Sequence, residues 1–289
     1  VNQDDRQIKL PEFLVCPDAI AIDIDGTLLD SQSRLSERNS AAILSCITQR
    51  IPVVIATSRA ARSVRRLLGK DITNACSLIT QNGAMGIGRP PLSGQAREKI
   101  PRRLAADLIT AVLEMEPEIR ITLELDGELF GTNQPRDPIT LWEVNSATPD
   151  MQLTIEEAMK YEPGKFALGG LNRDITHVAD MILQRYGRSL TVVGEAGRTF
   201  LNVTMKTASK SATLRRLLQS QNISLQNVVA IGDDLPDFDM LSACGIPIAM
   251  ANAVPEIKAV CRYHTASNND NGVAVVLEKI LDRTERNME

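Results

Sequence analysis

The run Ala19-Ile20-Ala21-Ile22 is apolar at every position and is followed at once by Asp23-Ile24-Asp25-Gly26-Thr27-Leu28. A strand without polar alternation belongs at the centre of a parallel sheet whose two faces are both covered. That segment commits the chain to an α/β architecture. It also sets two carboxylates, and a glycine that permits a sharp turn, where the strand leaves the sheet. Ligands of open α/β sheets bind outside the carboxyl ends of such strands, so Asp23 is expected to face the site.

The same pattern recurs along the chain. Ser36-Glu37-Arg38-Asn39 opens an amphipathic helix to about Gln49,. A second unbroken strand, Pro52 to Ala56, ends in Thr57-Ser58-Arg59, and Ala60 to Leu68 reads as a helix,. Ser77 to Thr80 is a third strand, and the turn-rich stretch Asn82 to Gly94 predicts a hairpin and a hinge,. The character then changes. A helix over Arg102–Met115, strands over Ile119–Asp126 and Glu128–Thr132, a strand over Lys165–Leu171 and a helix over Arg173–Tyr186 suggest an α+β insertion,. Gly187, Gly194 and Gly197 mark the expected return to the first domain, with Thr199 to Met205 as its next strand,. A helix from Ser209 to Gln219, a strand Val228 to Ile231 ending in Gly232-Asp233-Asp234, a helix Pro236 to Ala243, a strand Ile246 to Met250 and a helix Gly272 to Leu281 complete the reading. The expected fold class is a doubly wound, Rossmann-like α/β parallel sheet with an inserted α+β cap. Residues 1–94 and 191–289 would make the core and 95–190 the cap.

Charge and cysteine usage narrow the function. The chain has 289 residues, with 32 basic against 36 acidic, a net charge of −4. It carries no basic block or aromatic-basic interleaving, so no nucleic-acid surface is expected. Cys16, Cys46, Cys76, Cys244 and Cys261 are widely spaced and odd in number, which suits packed, reduced thiols,. No run approaches the roughly 20 apolar residues of a bilayer span. We expect no membrane partner and a cytoplasmic protein; oligomeric state is not legible.

Three apolar strands thus end in Asp23 and Asp25, in Thr57, and in Asp233. If they are neighbours, each pair of carboxylates at roughly 5 Å repels by about 3 kcal/mol at an effective dielectric of about 20. A cation must offset that. Mg²⁺, a hard ion that takes oxygen ligands, fits a site of carboxylates and carbonyls without histidine or cysteine, and zinc fits poorly. Lys210 opens a helix, where backbone N–H groups and a lysine favour a phosphate. Asp23 is then an oxygen nucleophile able to form an aspartyl-phosphate.

These residues resemble the haloacid dehalogenase superfamily, whose four motifs match in order at Asp23 to Thr27, at Thr57, at Lys210, and at Gly232-Asp233-Asp234-Leu235-Pro236-Asp237. Ile246 to Ala253 and Asn268 to Val273 resemble its Cof-type (type IIB) branch, which carries a large cap between the second and third motifs. The resemblance implies that Asp23 is nucleophile and metal ligand. Asp25 would ligate through its carbonyl and act as general acid, then base. Asp233 would be a further ligand, Thr57 and Lys210 would bind phosphoryl oxygens, and Asp237 would hold metal-bound water. Ser58, Asn82, Asn252 and Asn268 are further contacts, although the asparagines also suit ordinary turns. Two departures stand out: Ser58 replaces the usual glycine of Thr-Gly-Arg, and Pro236 stands where the family has asparagine. His177 and His264 read as structural; Trp142 and Arg136 lie in the expected cap, where they could touch substrate, although a single tryptophan is more often a packing residue.

The implied activity is Mg²⁺-dependent hydrolysis of a small phosphorylated metabolite, a sugar phosphate above all. A phosphomutase that returns the phosphoryl group to a second hydroxyl, and a phosphate-metabolite-binding protein without turnover, are the alternatives. The chain is too long, and its motif order wrong, for a receiver domain.

Overall fold

In the computed structural model, which describes residues 8–194 and 199–286, the apolar run forms β1 (Ala19–Ile22), buried at all its positions. It is followed by α1 (Glu37–Thr48), whose first turn is capped by the Ser36 hydroxyl accepting from the Asn39 N–H. Then come β2 (Val53–Ala56), α2 (Ala61–Ala75) and β3 (Ser77–Thr80), and the expected hairpin follows as β4 (Met85–Ile87) and β5 (Gln95–Arg97).

The chain next builds a separate sheet. Its elements are α3 (Arg102–Met115), β6 (Arg120–Glu124), β7 (Phe130–Thr132), α4 (Pro138–Thr140), β8 (Gln152–Thr154), α5 (Ile155–Ala158), β9 (Lys165–Gly169), α6 (Thr176–Tyr186), β10 (Leu190–Gly194) and β11 (Phe200–Met205). It returns through α7 (Lys210–Leu218), β12 (Val228–Gly232), α8 (Phe238–Ala243), β13 (Ile246–Ala249), α9 (Pro255–Val260), β14 (Tyr263–His264) and α10 (Gly272–Arg286).

The first sheet runs β14-β13-β12-β1-β2-β3-β4-β5, parallel as far as β3 and antiparallel through the hairpin. Both faces of β1 are apolar because helices cover both: α1 packs with α2 and α10, and α7 with α8. The strand order reverses at β1, which pairs with β12 on one side and β2 on the other. Ile22 is opposite both Ile231 and Ile55, so all three strands release their next residues at one level. That register delivers Asp23 and Asp233 to a common rim.

The second sheet, β10-β11-β9-β6-β7-β8, follows period-2 logic instead,. Ile121 and Leu123 of β6 are buried with Leu108 and Val112 of α3 and Val178 and Ile182 of α6. Arg120, Thr122 and Glu124 alternate with them and line a cavity on the other face.

Here the structure corrects the sequence reading. Phe200–Met205 was expected in the core, yet it pairs antiparallel with β10 and β9 in the second sheet. The reason lies in its alternation: Leu201 and Val203 join the apolar cluster of the second sheet, while Asn202 faces the cavity. The core's parallel strands have no such alternation. Gly187 and Gly194 therefore flank a strand of the second sheet and mark no return to the core; Gly197 lies outside the described residues. Pro236 also falls in a short turn, Leu235–Asp237, ahead of the α8 helix it was expected to start.

The two units are tied by a buried ion pair. Arg62 of α2 donates from Nη1 and Nη2 to Glu124 of β6 at 2.7 and 2.8 Å, with both side chains less than a tenth exposed. Removing one partner of such a pair leaves a buried, unsatisfied charge, at a cost of about 3–5 kcal/mol. Glu124→Ala is therefore expected to lower stability by about that amount in denaturant unfolding, and Arg62→Met with Glu124→Leu to recover most of it. A Glu124→Ala loss within 0.5 kcal/mol, the usual range for an exposed site, would show that the pair is not buried in solution.

Candidate active site

At the end of β1, Asp23 is held in extended backbone by its N–H donating to the Ile231 carbonyl at 3.0 Å. The chain then turns through Ile24–Leu28, with Gly26 at φ +74. This glycine is required twice over, since a Cβ there would lie 2.2 Å from Asp233 Oδ2,. Its absence lets the β12 loop close onto the β1 loop. Thr27 completes that closure by donating its hydroxyl to Asp233 Oδ1 at 2.6 Å.

Lys210, the first residue of α7, is almost fully buried and donates to Asp23 Oδ1 and Asp237 Oδ1, each at 2.6 Å. The other oxygen of Asp237 accepts from the Asp233 N–H at 3.0 Å. Carboxylate oxygens of Asp23, Asp233 and Asp237 lie within 4.8 Å of one another. Burial, reinforced by Asp237 and only partly opposed by Lys210, raises the Asp23 carboxyl well above the usual range,. Burial likewise pushes the Asp233 carboxyl up to about 7. For Lys210, burial works against the charge, but the two carboxylates outweigh it and hold the ammonium protonated. One ammonium does not neutralise three crowded carboxylates. The donor set is all oxygen, so the cluster fits a hard divalent cation.

Asp25 lies at the cavity edge, outside that cluster. Arg59 donates to both of its oxygens at 2.7 Å. Thr57 is fully buried, and its hydroxyl oxygen accepts from the Arg59 N–H at 3.1 Å, leaving its own proton to donate elsewhere. Ser58 lines the cavity, and its carbonyl accepts from Lys165 Nζ at 2.8 Å.

The helix N-terminus, expected to offer N–H groups to an anion, is partly occupied. The Ser211 N–H goes to Asp239 and the Ala212 N–H to the Ser209 hydroxyl.

The expected asparagine contacts serve the loop and do not line the cavity. Asn252 donates to the Gly26 carbonyl at 2.7 Å and Asn268 to the Leu29 carbonyl at 2.9 Å, bracing the β1 loop from outside. Asn82 is buried behind Thr57, its N–H donating to the Thr57 carbonyl at 3.1 Å. Asp234 accepts from the Leu235 N–H and caps the turn that contains Pro236.

The cavity, about 670 Å³, extends from Asp23 to the polar face of the second sheet. Sequence reasoning missed most of that wall: Arg62, Glu124, Lys165, Asn202 and Arg120. The one available signal was alternation in β6, β9 and β11, which sets a polar face opposite an apolar one,. Arg136, placed in the expected cap as a residue that could touch substrate, also lines the cavity. Trp142 is half exposed beneath the Arg66 guanidinium.

Residues 20–277 match the model of the haloacid dehalogenase-like hydrolases, and the chain belongs to that family. The chain aligns over nearly its whole length with curated relatives named as phosphatases. It is 28% identical to phosphatase YwpJ of Bacillus subtilis (strain 168), over 91% of this chain and 99% of the relative. It is 27% identical to the 5-amino-6-(5-phospho-D-ribitylamino)uracil phosphatase YwtE of the same organism, over 91% and 97%. The fold is shared with SMU.1108c of Streptococcus mutans UA159, with a TM-score of 0.80, 23% identity, and coverage of 92% and 99%. It is shared too with the subclass IIB sugar phosphatase BT4131, with a TM-score of 0.75, 20% identity, and coverage of 90% and 98%.

Thr27 touches Asp233 and no part of a substrate, so its loss isolates the orientation of a single carboxylate. Removing such an outer partner weakens metal affinity by about 10–100-fold. Thr27→Val is expected to do so for Mg²⁺ in calorimetric titration. Unchanged affinity would show that Asp233 is not a ligand.

Proposed function

We propose that the protein hydrolyses the monoester of a small phosphorylated metabolite, a sugar phosphate or a close polyol analogue, through a phosphoryl group carried transiently on Asp23. The observation that carries this reading is the buried Asp23 carboxylate, fixed by Lys210 at 2.6 Å on the floor of a polar cavity covered by a second sheet. A carboxylate so fixed is pre-oriented for attack on phosphorus. The sugar-phosphate reading is supported by the sugar phosphatase among its structural neighbours and by the polar cavity wall.

In this reading Asp23 and Asp233 would hold Mg²⁺ through their carboxylates and Asp25 through its carbonyl. Bound Mg²⁺ supplies charge stabilisation for the phosphoryl oxygens. Asp237, with one oxygen on Lys210 and the other on the Asp233 N–H, positions both. Lys210 and the uncommitted Thr57 proton face the phosphoryl oxygens. Asp25 protonates the leaving oxygen and then activates water, which requires its pair with Arg59 to open when substrate enters,.

Pro236 removes one polar group expected near this site. Its turn is nevertheless closed by Asp234 and Asp237, so the proline costs no structural contact. The second sheet acts as a cap that limits bulk water, tied to the core through Arg62–Glu124 and Lys165–Ser58,. We assign the work to the cytoplasm. Cys46, Cys76, Cys244 and Cys261 are buried thiols, in keeping with a reducing compartment,. No helix among the described residues is long and apolar enough to cross a membrane.

The test is turnover of a panel of phosphorylated metabolites, scoring free phosphate and isomerised product separately. Release of phosphate is expected with Mg²⁺, none in excess chelator, and a loss of several orders of magnitude in Asp23→Asn. Asp25→Asn should cripple alkyl phosphates far more than aryl phosphates, whose leaving groups need little protonation. Isomerised product without free phosphate would favour a phosphomutase, and tight binding without turnover a binding protein. Full activity in chelator would overturn the metal assignment.

A further inference from the structure

The charges lining the cavity are matched almost completely. Asp25 takes Arg59, Glu124 takes Arg62, and Asp23 and Asp237 share Lys210. Lys165 is held by the Ser58 carbonyl and the Asn202 amide oxygen, and two arginines of the second sheet are left over. Arg120, on β6, reaches only the Gln134 amide oxygen, at 3.4 Å. Arg136 donates to the Asn145 amide oxygen at 2.6 Å. Neither forms an ion pair among the described residues, both line the cavity, and both are half-buried. They are also close enough to repel: burial, and after it the charge of Arg120, pulls the Arg136 guanidinium below its ordinary value.

Two like charges held together in a half-buried wall, each oriented by a neutral amide, are unfavourable unless an anion joins them. Arg120 and Arg136 belong to the second sheet's side of the cavity and Asp23, Lys210 and Asp233 to the first sheet's, which sets that anion apart from the transferred phosphoryl group. Arg120 lies about 13 Å along β6 from Glu124, the residue that ties the strand to α2, at roughly 3.3 Å per residue. Asn145 links the arginine pair to the known wall, because its carbonyl also accepts from Arg62 Nε at 3.0 Å.

We propose that Arg120 and Arg136 form a subsite for a second oxyanion of the substrate, a carboxylate or a further phosphate, at the end remote from the phosphoryl group that Asp23 attacks. The inference rests on the phosphatase reading above and narrows its substrate class to phosphorylated metabolites that carry a second negative group. Planar guanidinium forks suit either oxyanion, with bidentate geometry.

Binding can be measured apart from turnover by calorimetric titration of the Asp23→Asn chain with Mg²⁺. Two matched pairs of probes separate the sources: 6-phosphogluconate against sorbitol 6-phosphate for a carboxylate, and fructose 1,6-bisphosphate against fructose 6-phosphate for a phosphate. In at least one pair the doubly anionic probe is expected to bind about tenfold tighter or more, the size of one charge-assisted hydrogen bond. Arg120→Gln and Arg136→Gln should each bring that ratio close to one, and Arg120→Lys should restore part of it, which a merely structural loss would not do. A ratio near one in both pairs before substitution, or a ratio retained in both glutamine variants, overturns the subsite. If that happens while wild-type protein still releases phosphate from sorbitol 6-phosphate, the phosphatase reading survives. If no probe binds and none is hydrolysed, both fall together.

Discussion

A single buried ammonium organises the site. Lys210 sits between Asp23 and Asp237, and no part of that trio can be moved without leaving a charge unpaired away from water,. The register of the parallel sheet exists, in functional terms, to satisfy it. Ile22 stands level with Ile231, so Asp23 and the Asp233 loop leave the sheet together, and Ser209 starts α7 where its first side chain points between them. Gly26 then permits an approach that any side chain would block. The result remains one cation short of neutral. That imbalance, built from oxygen donors only, is what makes the cluster a place for a hard divalent ion,.

The second sheet closes the account from above. Its apolar face is spent on α3 and α6, which frees the opposite face to be polar without being solvent-facing. Arg62–Glu124 and Lys165–Ser58 fasten that face to the β2–α2 region, next to the Arg59–Asp25 pair. The second sheet and the Arg59–Asp25 pair are therefore neighbours in space. Substrate that draws Arg59 away from Asp25 would act on the same loop that the cap grips.

Much of the core was legible because its strands announce themselves locally. Unbroken apolar runs ending in Asp23, Thr57 and Asp233 need no partner to be recognised, and the burial of β1, β2 and β12 follows from composition alone. Phe200–Met205 was misplaced because pairing partners are not written in a strand. Its alternating Leu201-Asn202-Val203 pattern shows two different faces but does not name the sheet. The arginines of the wall were missed for a related reason. A polar residue on an alternating strand reads as solvated, and only the tertiary fold converts that face into a cavity lining. Helix starts misled in the opposite sense: the N–H groups of α7 looked available in sequence, yet Asp239, 28 residues beyond Ser211, already takes one of them.

The central claim is that Asp23 carries the phosphoryl group. It is tested most directly by rapid acid quench of Asp25→Asn with a radiolabelled aryl phosphate, whose leaving group needs little protonation, since this variant lacks the base that would clear the intermediate. Borohydride reduction and peptide mapping then locate the modified carboxylate. The account expects stoichiometric label at Asp23, converted to homoserine at that position alone. Turnover by the wild-type chain with no covalent label at Asp23 in either protein, or with label on another side chain, would contradict it.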